Sequence, residues 1–188
     1  MFMNYFEFYG LPVGFKLDMA ALKRAYYAKS RELHPDFHVG AEQAAQYKAL
    51  ELSSFNNNAF QTLSNDDSRI AYLLQLADAM PEEGKAELPA EFLAEMMGIN
   101  EQLMDLELDF DADAFRQAEQ ALASIERELS TNIAPVLANY SPAFSGPTEL
   151  FEIKNYFFKR KYILRIKKSL AKFAPLFKID TLPEWRNW

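Results

Sequence analysis

Apolar residues recur every three to four positions along most of the chain, and runs of alternating β-branched residues are absent, so the pattern predicts helices throughout. The first long helix is expected over residues 18–33, with Asp18 as its N-cap and Leu17 and Leu22 at the positions of a hydrophobic staple. At 100° per residue, Leu22, Ala25, Tyr26 and Leu33 share one face, while Lys23, Arg24, Tyr27 and Arg31 lie opposite; Lys29 falls near the apolar side. A second helix, about 41–63, carries a stripe of Ala45, Leu52, Phe55, Ala59 and Leu63 suited to antiparallel packing against the first. Ser64-Asn65-Asp66-Asp67 is a turn and cap cluster that starts a short helix running to about Asp78.

The clearest break in the pattern is residues 79–88, where a proline, a glycine and several charges separate two periodic regions. Beyond it the spacing predicts helices over about 89–107, 112–139 and 149–174, the second kinked or ended by Pro135. Short connections between amphipathic helices imply an antiparallel three-helix bundle. The expectation is therefore an all-α chain with an N-terminal domain over 1–78, a linker over 79–88 and a helical domain over 89–188.

Composition narrows the function. At 188 residues, with 49% hydrophobic and 14% aromatic residues, the chain has material for substantial cores. No apolar run reaches the length of a membrane span, and Met1-Phe2-Met3-Asn4-Tyr5 lacks the marks of a signal peptide, so a cytoplasmic, membrane-free protein is expected. The absence of cysteine rules out disulfides, thiolate catalysis and any zinc or cluster site built from its own thiolates. A net charge of −7 argues against general nucleic-acid binding. No nucleophile–base set and no phosphate-binding glycine loop stands out, so neither enzymatic activity nor a cofactor is expected.

The most informative residues are His34-Pro35-Asp36. Proline lacks an N–H and pushes its predecessor out of the α region, so the helix should stop near Leu33 and display His34 and Asp36 on a stiff corner. With His38 they have the donor types of a metal site, but alternating side chains around a proline on one short loop rarely converge, and no fourth donor is marked. The cationic face of Lys23, Arg24 and Arg31 is either plain solvated surface or a docking face for an acidic partner; beside a displayed carboxylate it suits docking.

In the helix at 89–107, Phe92, Met96, Ile99, Leu103 and Leu106 form a core stripe, and Leu93, Met97 and Met104 a second apolar row about 100° away, bordered by Asn100 and Glu101. That row is either the margin of a wide buried face or a partner surface, and adaptable methionines favour the second. The last helix is rich in cations, from Lys154 to Lys172, while 82–128 is acidic. Intramolecular charge balance, protein docking, and a nucleic-acid or membrane surface are the readings of that contrast. Tyr156, Ile163, Leu170 and Phe177, with Ile166 and Phe173, mark the last helix's core side.

Tyr5-Phe6 with Gly10-Leu11-Pro12, Leu22-Lys23-Arg24-Ala25-Tyr26, Leu33-His34-Pro35-Asp36, and Ala59-Phe60-Gln61-Thr62-Leu63 followed by Arg69 and Tyr72-Leu73-Leu74 together resemble a J-domain, an antiparallel helical hairpin with an HPD loop. The run Asn4 to Pro12, the ending Arg69-Ile70-Ala71-Tyr72-Leu73-Leu74 and the segment Phe92-Leu93-Ala94-Glu95-Met96 extend the resemblance to the HscB family of co-chaperones in iron–sulfur cluster assembly.

That resemblance implies a co-chaperone that stimulates the ATPase of a DnaK/HscA-type chaperone through His34, Pro35, Asp36, Lys23, Arg24 and Arg31. It also implies that an iron–sulfur scaffold protein of the IscU type is carried on the face of the helix at 89–107, where Leu93, Met97 and Glu101 match by position; Met104 of the same apolar row and, on the last helix, Tyr162 complete the candidate client set. Phe37 departs from the common pattern, which has lysine there, and Ala94, Gly98 and Asn100 replace larger or charged residues. The rival expectations are a J-domain protein with a different client, a metal-dependent hydrolase at His34, Asp36 and His38, and a nucleic-acid binder using the helix at 154–172.

Overall fold

A computed structural model describes residues 3–34, 37, 42–81, 87–143 and 145–173. Among the described residues all regular structure is helical: α1 (Tyr5–Tyr9), α2 (Met19–Glu32), α3 (Gln43–Ser64), α4 (Asp66–Leu76), α5 (Ala90–Leu108), α6 (Ala112–Asn139) and α7 (Pro147–Leu170). The helices form two compact units, one of Met1–Met80 with Val136–Phe151 and one of Pro81–Pro135 with Glu152–Trp188.

In the first unit, α2 begins where Asp18 accepts the N–H groups of Ala20 and Ala21, at 2.8 and 3.1 Å, satisfying two donors the helix itself leaves open. It ends as the expected proline boundary requires, with the Leu33 N–H closing on Lys29 O at 2.9 Å. Leu22 and Leu33 are buried and face α3, where Ala59 and Leu63 are buried in turn. The hairpin is pinned by Tyr26 stacked on Phe60 (4.2 Å between centroids) and by a polar cluster on Asn56, only 1% exposed. The Asn56 amide donates to Ser30 Oγ at 2.9 Å, and its side-chain oxygen accepts from Tyr9 Oη at 2.8 Å. Burial pushes the Tyr9 phenol well above its ordinary pKa, so it stays a donor at physiological pH.

The helix α1 was not foreseen. Asn4 and Glu7 form a capping box, Gly10 closes it in the left-handed region at φ 63°, and Tyr5 stacks on Tyr72 at 4.5 Å. Arg69 is the other buried polar side chain among the described residues of this unit. Its guanidinium donates to Phe15 O at 2.8 Å and to Leu63 O, and pairs with Asp66, so one side chain satisfies a carbonyl at the end of α3 and fixes the 11–18 loop. Phe15 is also held edge-on by Tyr140, 4.7 Å away, from the 136–151 part of this unit.

In the second unit, Phe92, Met96, Ile99, Leu103 and Leu106 of α5 meet Phe115, Ala118 and Leu122 of α6 and Ile163, Ile166 and Leu170 of α7 in one core. The expected three-helix bundle and its α5 stripe are thus as the periodicity indicated.

Three details differ from the sequence expectation. Ala45 is exposed, because it lies a turn beyond Ala49, the last buried position at that end of α3, where α2 has already ended. α6 keeps the expected bounds, Ala112–Asn139, but is not ended by Pro135, since only one turn follows the proline and few carbonyl bonds are forfeited. α7 starts earlier, at Pro147, a position where the missing N–H costs nothing, with the Gly146 N–H taken by Glu149 at 2.9 Å; it ends at Leu170, and residues 171–173 form a turn. Phe177 lies outside the described residues, as do 82–86 of the expected linker.

Candidate functional site

Two exposed helix faces carry the sequence-predicted residues. The first is on α2. Lys23, Arg24 and Arg31 are exposed, and Arg24 approaches Asp18 at 3.9 Å. Tyr27 stands among them, 62% exposed, with its ring tilted against Tyr26 at 5.3 Å. Lys29 turns away, pairing with Glu32 at 3.1 Å and lying 5.6 Å from the Phe8 ring, which excludes it from this face as its angular position indicated.

Immediately beyond α2, the exposed His34 directs its N–H to Arg31 O at 3.3 Å, and Phe37 donates its own to His34 O at 3.0 Å. The Phe37 ring is 75% exposed and stands edge-on to the imidazole at 6.2 Å. Pro35, Asp36 and His38 lie outside the described residues, so the displayed carboxylate is known from sequence alone. Among the described residues no three potential metal ligands gather anywhere.

The second face is on α5. Consecutive methionines separate: Met96 is 0% exposed in the core, Met97 60% exposed outside it. Met104 is 66% exposed, Glu101 is exposed, and Leu93 and Asn100 are half-buried. Met97 and Met104 of the second row are therefore surface, while Leu93 sits at the edge of the core. Leu108, 88% exposed four positions after Met104, prolongs the row by a turn. The same periodicity would have included Leu108, had the helix been drawn past residue 107.

Tyr162 is the member of the predicted client set that lies on α7. It is half-buried, packed against the core, edge-on to Phe92 at 6.0 Å and covered by the Arg165 guanidinium at 4.4 Å. Its accessible part is an edge beside Phe92, the residue preceding Leu93. No helix among the described residues is long and apolar enough to cross a membrane.

An exposed cationic face on α2, followed in the sequence by His34-Pro35-Asp36, and an exposed apolar row on α5 are surfaces suited to docking other proteins, and the J-domain co-chaperone class that the sequence resembles is the one its relatives belong to. A family model described as the HSCB C-terminal oligomerisation domain matches residues 88–171. A co-chaperone protein HscB homolog of Chromobacterium violaceum is 33% identical over 135 residues, 71% of this chain and 76% of that one. The crystal structure of human co-chaperone protein HscB matches at a TM-score of 0.71 and 26% identity, over 92% of this chain and 83% of that chain. Chaperone HscB from Vibrio cholerae, at a TM-score of 0.68 and 24% identity over 93% of this chain and 99% of that one, shares the fold. The chain belongs to the HscB co-chaperone family.

Proposed function

We propose that this co-chaperone stimulates ATP hydrolysis by a DnaK/HscA-type chaperone and brings to it an iron–sulfur scaffold protein of the IscU type. The observation that carries this reading is the division of labour on α5, where Met96 is sealed in the core while Met97 and Met104 are open. The core already has its stripe, and the uncovered row is free for a partner whose shape adaptable thioethers can follow. On α2, Lys23, Arg24 and Arg31 steer an acidic chaperone surface onto the corner formed by His34, Pro35 and Asp36, a role in which charges set encounter rate and orientation.

Holding both partners on one chain turns the second encounter into an intramolecular one and raises the client's effective concentration at the chaperone. The work of hydrolysis belongs to the chaperone; the adaptor supplies trigger and cargo.

The test is single-turnover ATP hydrolysis by the chaperone with the parent chain, with His34→Gln and with Asp36→Asn, each with and without the scaffold. Both variants are expected to fold and to bind scaffold while losing stimulation. Full stimulation by both would overturn the chaperone half of the proposal. Intact stimulation with no scaffold binding by the parent would point to a different client.

A further inference from the structure

We propose that copies of this chain mate head to tail, the outer face of α7 on one copy covering the outer face of α5 on the next, and that this covers the client row. The family description names residues 88–171 for oligomerisation and assigns no surfaces. The coupling to the client rests on the proposed function above; the assignment of the mating faces does not.

The two faces are complementary in charge. α5 contains Glu91, Glu95, Glu101, Asp105 and Glu107 and no lysine or arginine. α7 contains seven cations against Glu149 and Glu152. Neutralisation within the bundle does not consume them. Lys167 pairs with Glu126 of α6, but Lys161, Arg165 and Lys168 are exposed and have no carboxylate partner among the described residues. They follow one another at intervals of four and three residues, so they line the side of α7 opposite its buried Ile163, Ile166 and Leu170.

On α5 the same construction gives Met97, Glu101, Met104, Asp105 and Leu108 on the side opposite the core stripe. Glu101 and Asp105 are four residues apart, as are Lys161 and Arg165, so both pairs are spaced by roughly 6 Å along their helices and match in either direction. The aliphatic stems of the cations would lie over the methionines and Leu108, covering apolar surface that is exposed among the described residues.

Each copy carries one face of each kind. A contact between α5 of one copy and α7 of another leaves an α7 face and an α5 face free, so association proceeds to rings or chains. Because Met97 and Met104 lie inside this contact, a neighbouring copy and a client exclude each other.

Sedimentation velocity on the full chain tests this with a charge swap. At about 10 mM ionic strength, where charges act over roughly 30 Å, the weight-average mass of the parent should rise about twofold or more with concentration, and should return to monomer near about 1 M salt, where the range is roughly 3 Å. A variant with Lys161→Glu, Arg165→Glu and Lys168→Glu should remain monomeric, as should one with Glu101→Lys and Asp105→Lys. Mixing the two variants should restore association, which also shows that both are folded.

A monomeric parent at low salt, unaltered association of either variant, or a mixture that stays monomeric overturns the proposal. So does a parent that stays monomeric yet binds phosphatidylserine vesicles through the three α7 cations, which would make the stripe a lipid surface. Scaffold titrated into the associated parent should dissociate it. Scaffold that binds without lowering the mass refutes the coupling, whereas scaffold that fails to bind even the monomer refutes the client assignment and leaves the mating faces standing.

Discussion

Met96 and Met97 are neighbours in sequence and opposites in environment, so alanine at each should have opposite consequences. Met96 is fully enclosed among Phe92, Ile99, Leu103 and the facing residues of α6 and α7. Removing its three outer heavy atoms loses their burial and leaves a cavity that a three-helix core can only partly close, at a cost of about 2–5 kcal/mol. For a unit of this size that is a fall on the order of 10–25 °C in melting temperature.

Met97 is 60% exposed, so its truncation removes little buried area, and alanine is at least as good a helix former; a change within about 0.5 kcal/mol is expected. Binding should follow the reverse order. Anchors at the centre of an interface typically carry about 2 kcal/mol or more each, so Met97→Ala or Met104→Ala alone should weaken scaffold binding by roughly thirtyfold, and the two together by up to roughly a thousandfold. Thermal unfolding and titration calorimetry with an IscU-type scaffold, both in salt that keeps the chain monomeric, separate the two effects. A Met97→Ala protein that melts as low as Met96→Ala, or a double variant that binds scaffold as the parent does, would refute the division of α5 into a structural and a docking row.

The Asp18 carboxyl is held below its usual pKa by the N–H groups of Ala21 and Ala20, with a smaller contribution from Arg24. A lowered folded-state value means its stabilisation is complete above the unfolded value of about 3.9 and disappears as pH falls through the folded one. The stability gap between the parent and Asp18→Ala should therefore be constant near neutral pH and close in acid, measured by urea unfolding across that range. Asn56→Ala takes the partner from Tyr9 Oη and Ser30 Oγ in a buried site and should cost about 1–3 kcal/mol, seen as faster amide exchange in α2 and α3. Gly98 sits inside α5 at a position where an added Cβ meets nothing within 4 Å, so Gly98→Ala should raise stability by up to about 1 kcal/mol in thermal unfolding.

α2 and α4 were legible because each pairs a 3.6-residue apolar period with its own start or stop, Asp18 and Pro35 for α2 and Asn65 for α4, whereas α3 and α5, whose N-caps make no side-chain hydrogen bond, were legible from the period alone. α1 escaped because five residues are too few to establish a period, although Asn4 and Glu7 already spelled its capping box. Asn56 escaped for a different reason. A periodicity argument places asparagine on the surface, and only the meeting of Tyr9, Tyr26 and Ser30 from two other helices makes a buried one affordable. The contact between Phe15 and Tyr140 likewise joins residues remote in sequence and has no local signature. Of the candidate site, the cationic α2 face and the α5 row were readable from angles alone, because both are statements about one helix. Tyr162 is half-buried because its surroundings are set by Phe92 on another helix, which no single-helix angle can show.

An exposed apolar row has a cost that a core row does not: it invites association with anything able to cover it. The α5 row answers this by alternating with carboxylates, with Glu101 beside Met97 and Asp105 beside Met104, so a purely apolar neighbour would have to bury unpaired charge. A partner bringing both apolar contact and cations meets no such penalty. The α7 stripe has that chemistry, and so must any client that displaces it. The acidic border thus selects its occupants as much as the methionines attract them. Replacing Glu101 and Asp105 with neutral residues should therefore broaden what α5 binds while leaving the core beneath it unchanged.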